Sequence, residues 1–421
     1  MTDTHTTSRP TDVQDERLVR RAGPRGFIAG VAEQARGNSA LPVIAGLVVI
    51  WAILGSVNSN FLSPLNLSNL LMQMTGTGVI ALGVLLVLLL GEIDLSVGSV
   101  SGLSSAVFGV LAMKLGWPVP LSIAAALAVG LLIGLVYSLI FNKFGVPSFV
   151  ISLAGLLAFL GLMLLILGTD GSLNLGTFNN SFLVWLGQAA YVPKGLAYVF
   201  AGLAALAFLG ARLYGNTRRR KARLSAPAAW TTVVGALALG VVLAAVVFYL
   251  YMPLGTQRSR GIGWMFVFFL ALVIFVQYML QRTKWGRSVY AVGGNREAAR
   301  RAGINVPWTI TSVFIACSSL AAVGGMLAAG RLGTATTSAG QGDVNLNAIA
   351  AAVIGGTSLF GGRGFAWSAV LGIFVIQSIT SGLDLLSLNS SWKFIITGIV
   401  LLVAVILDAV TRRSRARHGL A

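Results

Sequence analysis

The chain has 421 residues, of which 56% are hydrophobic and only 10% are charged. A soluble domain carries about 25% charged residues, so this composition excludes a soluble protein and indicates a protein embedded in a membrane. The formal net charge of +18 does not indicate a nucleic-acid-binding protein, because the arginines lie in short loops between apolar runs and near the two ends, and no basic stripe is interleaved with aromatic residues.

Both ends of the chain are polar. Residues 1–40 are too polar, and too long before the first apolar run, to be a cleaved signal peptide, so we expect a cytoplasmic tail there. Residues 411–421 are predicted to form a second, basic cytoplasmic tail. His5 and His418 lie in these tails and Cys317 is the single cysteine, so the sequence predicts neither a metal site nor an intrachain disulfide.

Apolar runs recur between the tails, and residues 41–410 are predicted to form one transmembrane domain. A helix needs about 20 apolar residues to cross a bilayer. We therefore predict an all-α fold, a polytopic transmembrane helical bundle of about 10–12 membrane segments, embedded in the lipid bilayer. Residues 348–360 are short for a full crossing and could be re-entrant, which leaves the count open. The clearest runs are residues 41–57, 79–90, 121–141, 149–167, 233–251, 265–280 and 394–407.

Small residues recur four apart within these runs. Gly130 and Gly134 form one such pair, and Gly98 and Gly102 form another among several serines. In a bilayer, glycine permits the close approach of two helix backbones. We interpret these pairs as packing features.

Residues 91–98 place two carboxylates at a predicted membrane boundary. An ionisable residue in or beside a membrane segment is a functional candidate by default. Asp94 is also well placed as the N-cap of a helix that begins near Leu95. Glu92 is expected near the cytoplasmic edge. The sequence leaves open whether the two carboxylates fix the loop or act in gating or in contact with a partner.

Basic clusters in two internal loops predict the orientation of the chain in the membrane. One cluster lies in residues 212–226, predicted to be a cytoplasmic loop, and the other lies in a cytoplasmic loop at residues 282–307. Because Lys and Arg are enriched in cytoplasmic loops, both termini are expected on the cytoplasmic side. Residues 58–69, 168–194, 253–260 and 383–391 then lie outside.

Residues 294–303 have the local features of a short helix outside the membrane. Asn295 is a good N-cap, and Glu297 lies in the first turn, where the helix dipole favours an acid. Arg300 and Arg301 fall in the last turn, and Gly303 stands where a left-handed residue is needed. Local physics leaves two interpretations open: a capped helix at the lipid surface, or a docking helix for a cytoplasmic partner.

The glycine-rich residues 355–364 do not form a nucleotide-binding loop. A Walker loop requires a Lys followed by Ser or Thr after a strand, and this segment has neither that pair nor a flanking strand. We predict helix termination and tight packing there. Because no Walker motif occurs in the chain, the protein is predicted not to be an enzyme, and work driven by ATP must be done by a partner.

Several polar residues fall within or beside the apolar runs and could offer hydrogen bonds to a solute. Each can equally bond a neighbouring helix, because polar side chains also join membrane helices. The candidate pathway residues are Gln73, Thr75, Asn142, Ser148, Ser152, Gln377, Thr380 and Ser381.

The pattern G-N-x-E-A-A-x-x-x-G-I-N-V at residues 294–306 resembles the coupling loop of the permease subunits of ABC importers, in the group of ribose, xylose and branched-chain amino-acid permeases. The resemblance extends to residues 91–103, 146–159 and 348–364, and so covers nearly all of residues 61–408. The chain looks most like the xylose type, because of the GEIDLSVGS string, the LGWPVPL loop at residues 115–121 and the basic insertion at residues 212–223.

The resemblance implies the transmembrane subunit of an ABC-type sugar importer in a bacterial cytoplasmic membrane, with a pathway for a pentose, xylose. It also implies three protein partners: a second copy in a homodimer, a cytoplasmic ABC ATPase and an extracytoplasmic sugar-binding protein. ATP and magnesium would be bound by the ATPase, and no cofactor is expected in this chain. The implied coupling-loop residues are Gly294, Asn295, Glu297, Ala298, Ala299 and Gly303, and the signature-loop residues are Gly91, Glu92, Asp94, Ser96 and Gly98.

One segment departs from the family pattern. Asn345, Leu346 and Asn347 stand where members usually have an acidic E-L-D, and Asp343 is the nearest acid that remains. We expect this loop on the external side. Without the usual acids, the sequence does not support a salt bridge from this loop to a binding protein or to a gate.

The main alternative is an ion-coupled secondary transporter of a small polar solute. Such a protein generally needs ionisable groups near the membrane midplane, or broken helices around an ion. The deepest carboxylates here are Glu92, Asp94, Asp384 and Asp408, all near predicted boundaries. A membrane-embedded enzyme is a weaker alternative, because the spans contain no histidine and no cluster of carboxylates.

Overall fold

The computed structural model describes residues 40–176, 181–223, 227–253, 260–340, 342–389, 391–399, 402 and 406. Apart from Ala40, the predicted tails lie outside the described residues, as does Asp408. Within the described residues, nine helices are long and apolar enough to cross a membrane. The prediction of a polytopic helical bundle is therefore confirmed.

The helices and strands follow in chain order. The first half comprises α1 (Ala40–Val57), α2 (Pro64–Leu89), α3 (Val97–Gly109, continued by a π-helical turn, Val110–Lys114), α4 (Val119–Phe144), α5 (Ser148–Leu167), β1 (Ser172–Asn174), α6 (Phe182–Gln188) and α7 (Lys194–Lys221). The second half comprises α8 (Ala229–Leu250), α9 (Trp264–Arg282), α10 (Lys284–Gly294), α11 (Arg296–Arg301), α12 (Val306–Leu332), β2 (Thr334–Thr336), α13 (Gly342–Ile354) and α14 (Trp367–Leu385).

Helices α2, α3 and α12 form the centre of the bundle, and most of their residues are buried. Other helices surround them, so apolar and small residues, including the buried serines of α3, occur on every face, as expected of helices in a protein interior. The lipid-facing helices α4, α5, α7 and α8 have many exposed Leu, Val and Phe side chains instead. The centre is therefore the part of the bundle on which most other elements pack, while α1 packs on α14 and α7 packs on α8.

Glycines bring α4 against α12. A Cβ atom at Gly134 would lie 2.5 Å from the Cα atom of Ile315, and one at Gly130 would lie 2.6 Å from the carbonyl oxygen of Ser318. Both neighbours are backbone atoms, which cannot move aside as a flexible side chain can. The interpretation of Gly130 and Gly134 as packing residues is confirmed.

Residues 333–354 cross the membrane in two parts. After α12 ends at Gly333, β2 pairs antiparallel with β1, and the chain then runs along α3, where a Cβ atom at Gly102 would overlap the carbonyl oxygen of Ala339. Helix α13 completes the path. Its 13 residues span only about 20 Å, and the extended part supplies the remaining length. The extended backbone is buried against the glycines of α3, as the bilayer requires of non-helical segments.

This composite segment is a full crossing. It begins where Arg331 lies beside Asn69 at the start of α2, and it leads to Gly362, whose N–H donates to the carbonyl oxygen of Leu89 at the end of α2. The re-entrant interpretation of residues 348–360 is therefore wrong. An apolar run does not mark this crossing in the sequence, because half of it is an extended polar stretch.

The structure also corrects the prediction of a loop at the basic residues 212–226. It was predicted as a loop, but α7 continues without a break to Lys221. Four basic residues fill the last turn of this helix, where cations are favoured by the helix dipole. Residues 224–226 lie outside the described residues.

Candidate functional site

Residues 282–307 fold into two helices outside the membrane-spanning segments. Helix α10 begins after Thr283, whose hydroxyl accepts a hydrogen bond from Gly286 N at 3.2 Å. Helix α11 begins after Asn295, whose Oδ1 atom accepts from Ala298 N at 2.9 Å. The N-cap role of Asn295 is confirmed. Helix α10 was not predicted.

Helix α11 displays charge to its surroundings. Glu297 forms ion pairs with Arg300 and Arg301, at 3.0 Å and 3.1 Å. The hydrogen bonds from Arg300 and then Arg301 hold the pKa of Glu297 below its ordinary value. Ala299 points inward and is buried, whereas Ala298 is exposed.

The end of α11 has the predicted geometry. Gly303 has a φ of +79°, the left-handed conformation that glycine adopts readily, so its predicted role after the helix is confirmed. Gly294, the last residue of α10, is exposed. The exposed residues of α11 include charged side chains of both signs and no large apolar side chain, unlike a helix that lies at a lipid surface.

Asp94 lies in the loop between α2 and α3 but does not cap α3. Its Oδ1 atom accepts hydrogen bonds from the N–H and the hydroxyl of Ser96, at 2.8 Å and 2.7 Å, and its other oxygen lies 4.0 Å from the sulfur of Cys317. These bonds close a turn before the helix, a common use of Asp, and they displace the start of the helix to Val97. The predicted N-cap role of Asp94 is therefore wrong.

Asn345 provides the missing cap from another helix. Its Oδ1 atom accepts a hydrogen bond from Gly98 N in the first turn of α3. Asn345 is buried within α13, so its predicted position in an external loop is wrong. Asn347, two residues further along the same helix, is half-buried. A neutral amide suits this site, because the buried carboxylate Asp94 already lies at the same helix start.

Glu92 joins three segments that are far apart in the sequence. It forms an ion pair with Arg296 at the start of α11 and accepts a hydrogen bond from the hydroxyl of Ser148 at the start of α5. The guanidinium carbon of Arg296 also lies 5.3 Å from the ring centroid of Phe141 at the end of α4. Burial lowers the pKa of Arg296 from its ordinary value. Sequence reasoning identified Glu92 and Ser148 but missed Arg296.

Glycine backbones form a second junction on the same side. Gly362 N donates to the carbonyl oxygen of Leu89 at 2.8 Å, and a Cβ atom at Gly293 would overlap that oxygen. Gly361 and Gly91 lie against each other there, with φ values of +84° and +77°. The prediction that residues 355–364 serve helix termination and tight packing is confirmed.

The structure does not bring all the candidate pathway residues together. Gln73, Gln377 and Ser381 lie together between α2 and α14: Gln377 Nε2 donates to Gln73 Oε1 at 2.9 Å, and Ser381 donates to Asn66 Oδ1 at 3.0 Å. Asn142 bonds Thr311, which joins α4 to α12. The remaining residues, Thr75, Ser152 and Thr380, donate to carbonyl oxygens of their own helices, and Ser148 donates to Glu92.

These features define the class of the protein as a polytopic helical membrane protein with a two-helix loop packed on one end of the bundle. The family model described as "Branched-chain amino acid transport system / permease component" matches residues 66–405, and the chain belongs to this family. It is a multi-pass permease component of the bacterial cytoplasmic membrane. The membership gives no support to the ion-coupled alternative.

Individual relatives match along nearly their whole length. The xylose transport system permease protein XylH of Escherichia coli K12 is 37% identical over 372 residues, which cover 88% of this chain and 92% of that protein. The protein of the same name in Haemophilus influenzae Rd is 34% identical, with 88% and 96% covered. The ribose import permease protein RbsC of Bacillus subtilis 168 is 33% identical, with 86% and 90% covered. No solved structure matches the chain.

Proposed function

We propose that this chain is the transmembrane subunit of an ABC-type sugar importer and that it forms the translocation pathway for a pentose, xylose. The observation that carries the proposal is the 37% identity over 88% of the chain to a xylose permease. The ribose and fructose permeases that also match are less similar, at 33% and 28% identity. The choice of xylose over other sugars rests on this ranking.

Three partners complete the proposed importer. A cytoplasmic ATPase binds ATP and magnesium and docks on α11, an extracytoplasmic protein delivers the sugar, and a second copy of the chain closes the pathway. Closure of the ATPase on ATP displaces the docking helix, and this displacement alternates access to the pathway. On this account the loop at residues 282–307 and both termini are cytoplasmic.

The polar patch between α2 and α14 is the proposed sugar-facing wall of the pathway. Gln73 is exposed, and Gln377, Asn66 and Ser381 lie beside it with amide and hydroxyl groups. Neutral donors and acceptors match the hydroxyl groups of a sugar without trapping it through charge. Because Gln73 is exposed, a second copy of the chain can supply the opposite wall.

The substrate is tested by competition. In proteoliposomes that contain the permease with its ATPase and binding protein, uptake of labelled xylose should be suppressed by excess unlabelled xylose and only weakly by ribose or fructose. Stronger suppression by ribose than by xylose would contradict the assignment of xylose, while leaving a sugar importer in place.

The docking helix is tested by Glu297→Lys. The substitution places a third cation beside Arg300 and Arg301 and puts positive charge in the first turn of α11, where the helix dipole disfavours it. We expect the amount of ATPase that co-purifies with the permease to fall by about tenfold, which corresponds to a loss of about 1.4 kcal/mol of docking free energy.

The matched control for this change is Asp170→Lys, an equal change of charge at an exposed residue beyond the other end of α5. It should leave co-purification of the ATPase unchanged. If the same amount of ATPase co-purifies with the Glu297→Lys permease, α11 is not part of the docking surface.

A further inference from the structure

Helix α11 has an inner and an outer set of charges. The side chains of Arg300 and Arg301 are 72% and 79% exposed and pair with Glu297 on the same helix. The side chain of Arg296 is 42% exposed and pairs instead with Glu92, which is only 13% exposed and lies in the loop between α2 and α3. Arg296 therefore faces the bundle, while the other two arginines face away from it.

The contact continues past Glu92 into a third segment. The second carboxylate oxygen of Glu92 accepts from the hydroxyl of Ser148, and the same hydroxyl accepts from Ile93 N at 3.3 Å. Ser148 is the first residue of α5. We call Arg296, Glu92 and Ser148 the latch. It connects α11, the loop between α2 and α3, and the start of α5.

The two connections between the extramembrane helices and the bundle differ in kind. At Gly293, the end of α10 meets Leu89 through backbone atoms in van der Waals contact, which holds α10 in place. The latch instead consists of charge-assisted hydrogen bonds between side chains, which have rotatable bonds that the backbone contact lacks. Its far end lies in the loop between α2 and α3 and at the start of α5, so a displacement of Arg296 pulls on the loop that joins the two central helices.

We propose that the latch transmits the displacement of α11 to the loop between α2 and α3 and to α5, and that Arg296 and Glu92 are positioning residues for the transport step. The inference rests on the proposed ABC importer. A pair that served folding alone would affect assembly, whereas a transmitting pair affects the amount of sugar moved for each ATP hydrolysed.

The test measures uptake and ATP hydrolysis separately in proteoliposomes containing the full complex. Arg296→Gln and Glu92→Gln should each lower the uptake per ATP hydrolysed by about tenfold, with assembly and hydrolysis retained, because each leaves one half-buried charge without its partner. The reversed pair, Glu92→Arg with Arg296→Glu, should recover uptake to within about threefold of the unsubstituted complex. Arg287→Gln removes an exposed guanidinium from α10 and should change neither the uptake nor the ATP hydrolysis.

Three outcomes would overturn the inference. If the uptake per ATP hydrolysed is unchanged in both Arg296→Gln and Glu92→Gln, the latch does not transmit the displacement of α11. Loss of assembly in both would assign it to folding. A reversed pair that assembles but recovers no more uptake than the single variants would show that the two charges do not act together. In contrast, an unsubstituted complex without ATP-dependent uptake would contradict the proposed function itself, whatever the variants do.

Discussion

Gly293→Ala is expected to abolish sugar uptake and to reduce the yield of folded permease. A Cβ atom at this position would overlap the carbonyl oxygen of Leu89 and would lie 2.8 Å from Gly362 N. Both are backbone atoms, and the Leu89 oxygen is already engaged by Gly362 N at 2.8 Å. The only relief is movement of α10 away from the bundle, which breaks the junction that holds the extramembrane helices on the end of α2.

The adjacent residue provides the matched control. Among the described residues, nothing lies within 4 Å of a Cβ atom at Gly294. In a helix Ala is favoured over Gly by about 1 kcal/mol, so Gly294→Ala should be neutral or slightly stabilising. The two variants are compared by thermal unfolding in detergent, followed by size-exclusion chromatography, and uptake by Gly293→Ala is compared with that of the unsubstituted permease in proteoliposomes. Equal behaviour of the two variants would show that the close approach at Gly293 is not required.

Gly134→Ala is expected to destabilise the bundle by about 1–3 kcal/mol, the usual cost of an added methyl group in a packed interior. The new methyl group would lie 2.5 Å from both the Cα atom of Ile315 and the carbonyl oxygen of Phe314. Because α4 and α12 must separate to admit it, contacts along the whole interface weaken, including the bond from Asn142 to Thr311.

Gly161→Ala on α5 is the control for this prediction. Among the described residues, nothing lies within 4 Å of its Cβ position. In the same detergent, Gly161→Ala should unfold at the temperature of the unsubstituted protein, and Gly134→Ala should unfold at a clearly lower temperature. A Gly134→Ala permease that unfolds at the same temperature as the control would contradict the assigned packing role.

Features that depend on local sequence could be predicted. Apolar runs mark most of the crossings, because the bilayer demands about 20 apolar residues in each. Asn295 and Gly303 bound α11 as expected, because capping depends on residues within one helical turn. The boundaries failed where polar residues continued a helix, as the arginines do at the end of α7.

Features that join distant segments could not be predicted. Arg296 and Glu92 are 204 positions apart, and Asn345 and Gly98 are 247 apart. No local pattern indicates that an amide of α13 caps α3, or that an arginine of α11 pairs with a particular acid. The composite crossing at residues 333–354 escaped for a related reason: its extended half is stable only because the glycines of α3 receive it.

The central claim is that the bundle is a conduit moved by ATP hydrolysed on a partner. It is tested most directly in proteoliposomes that contain the permease, its ATPase and its binding protein, loaded with or without ATP and with or without proton and sodium gradients. The account predicts uptake that requires ATP and persists when both gradients are dissipated. Uptake that continues without ATP and collapses with the proton or sodium gradient would contradict it.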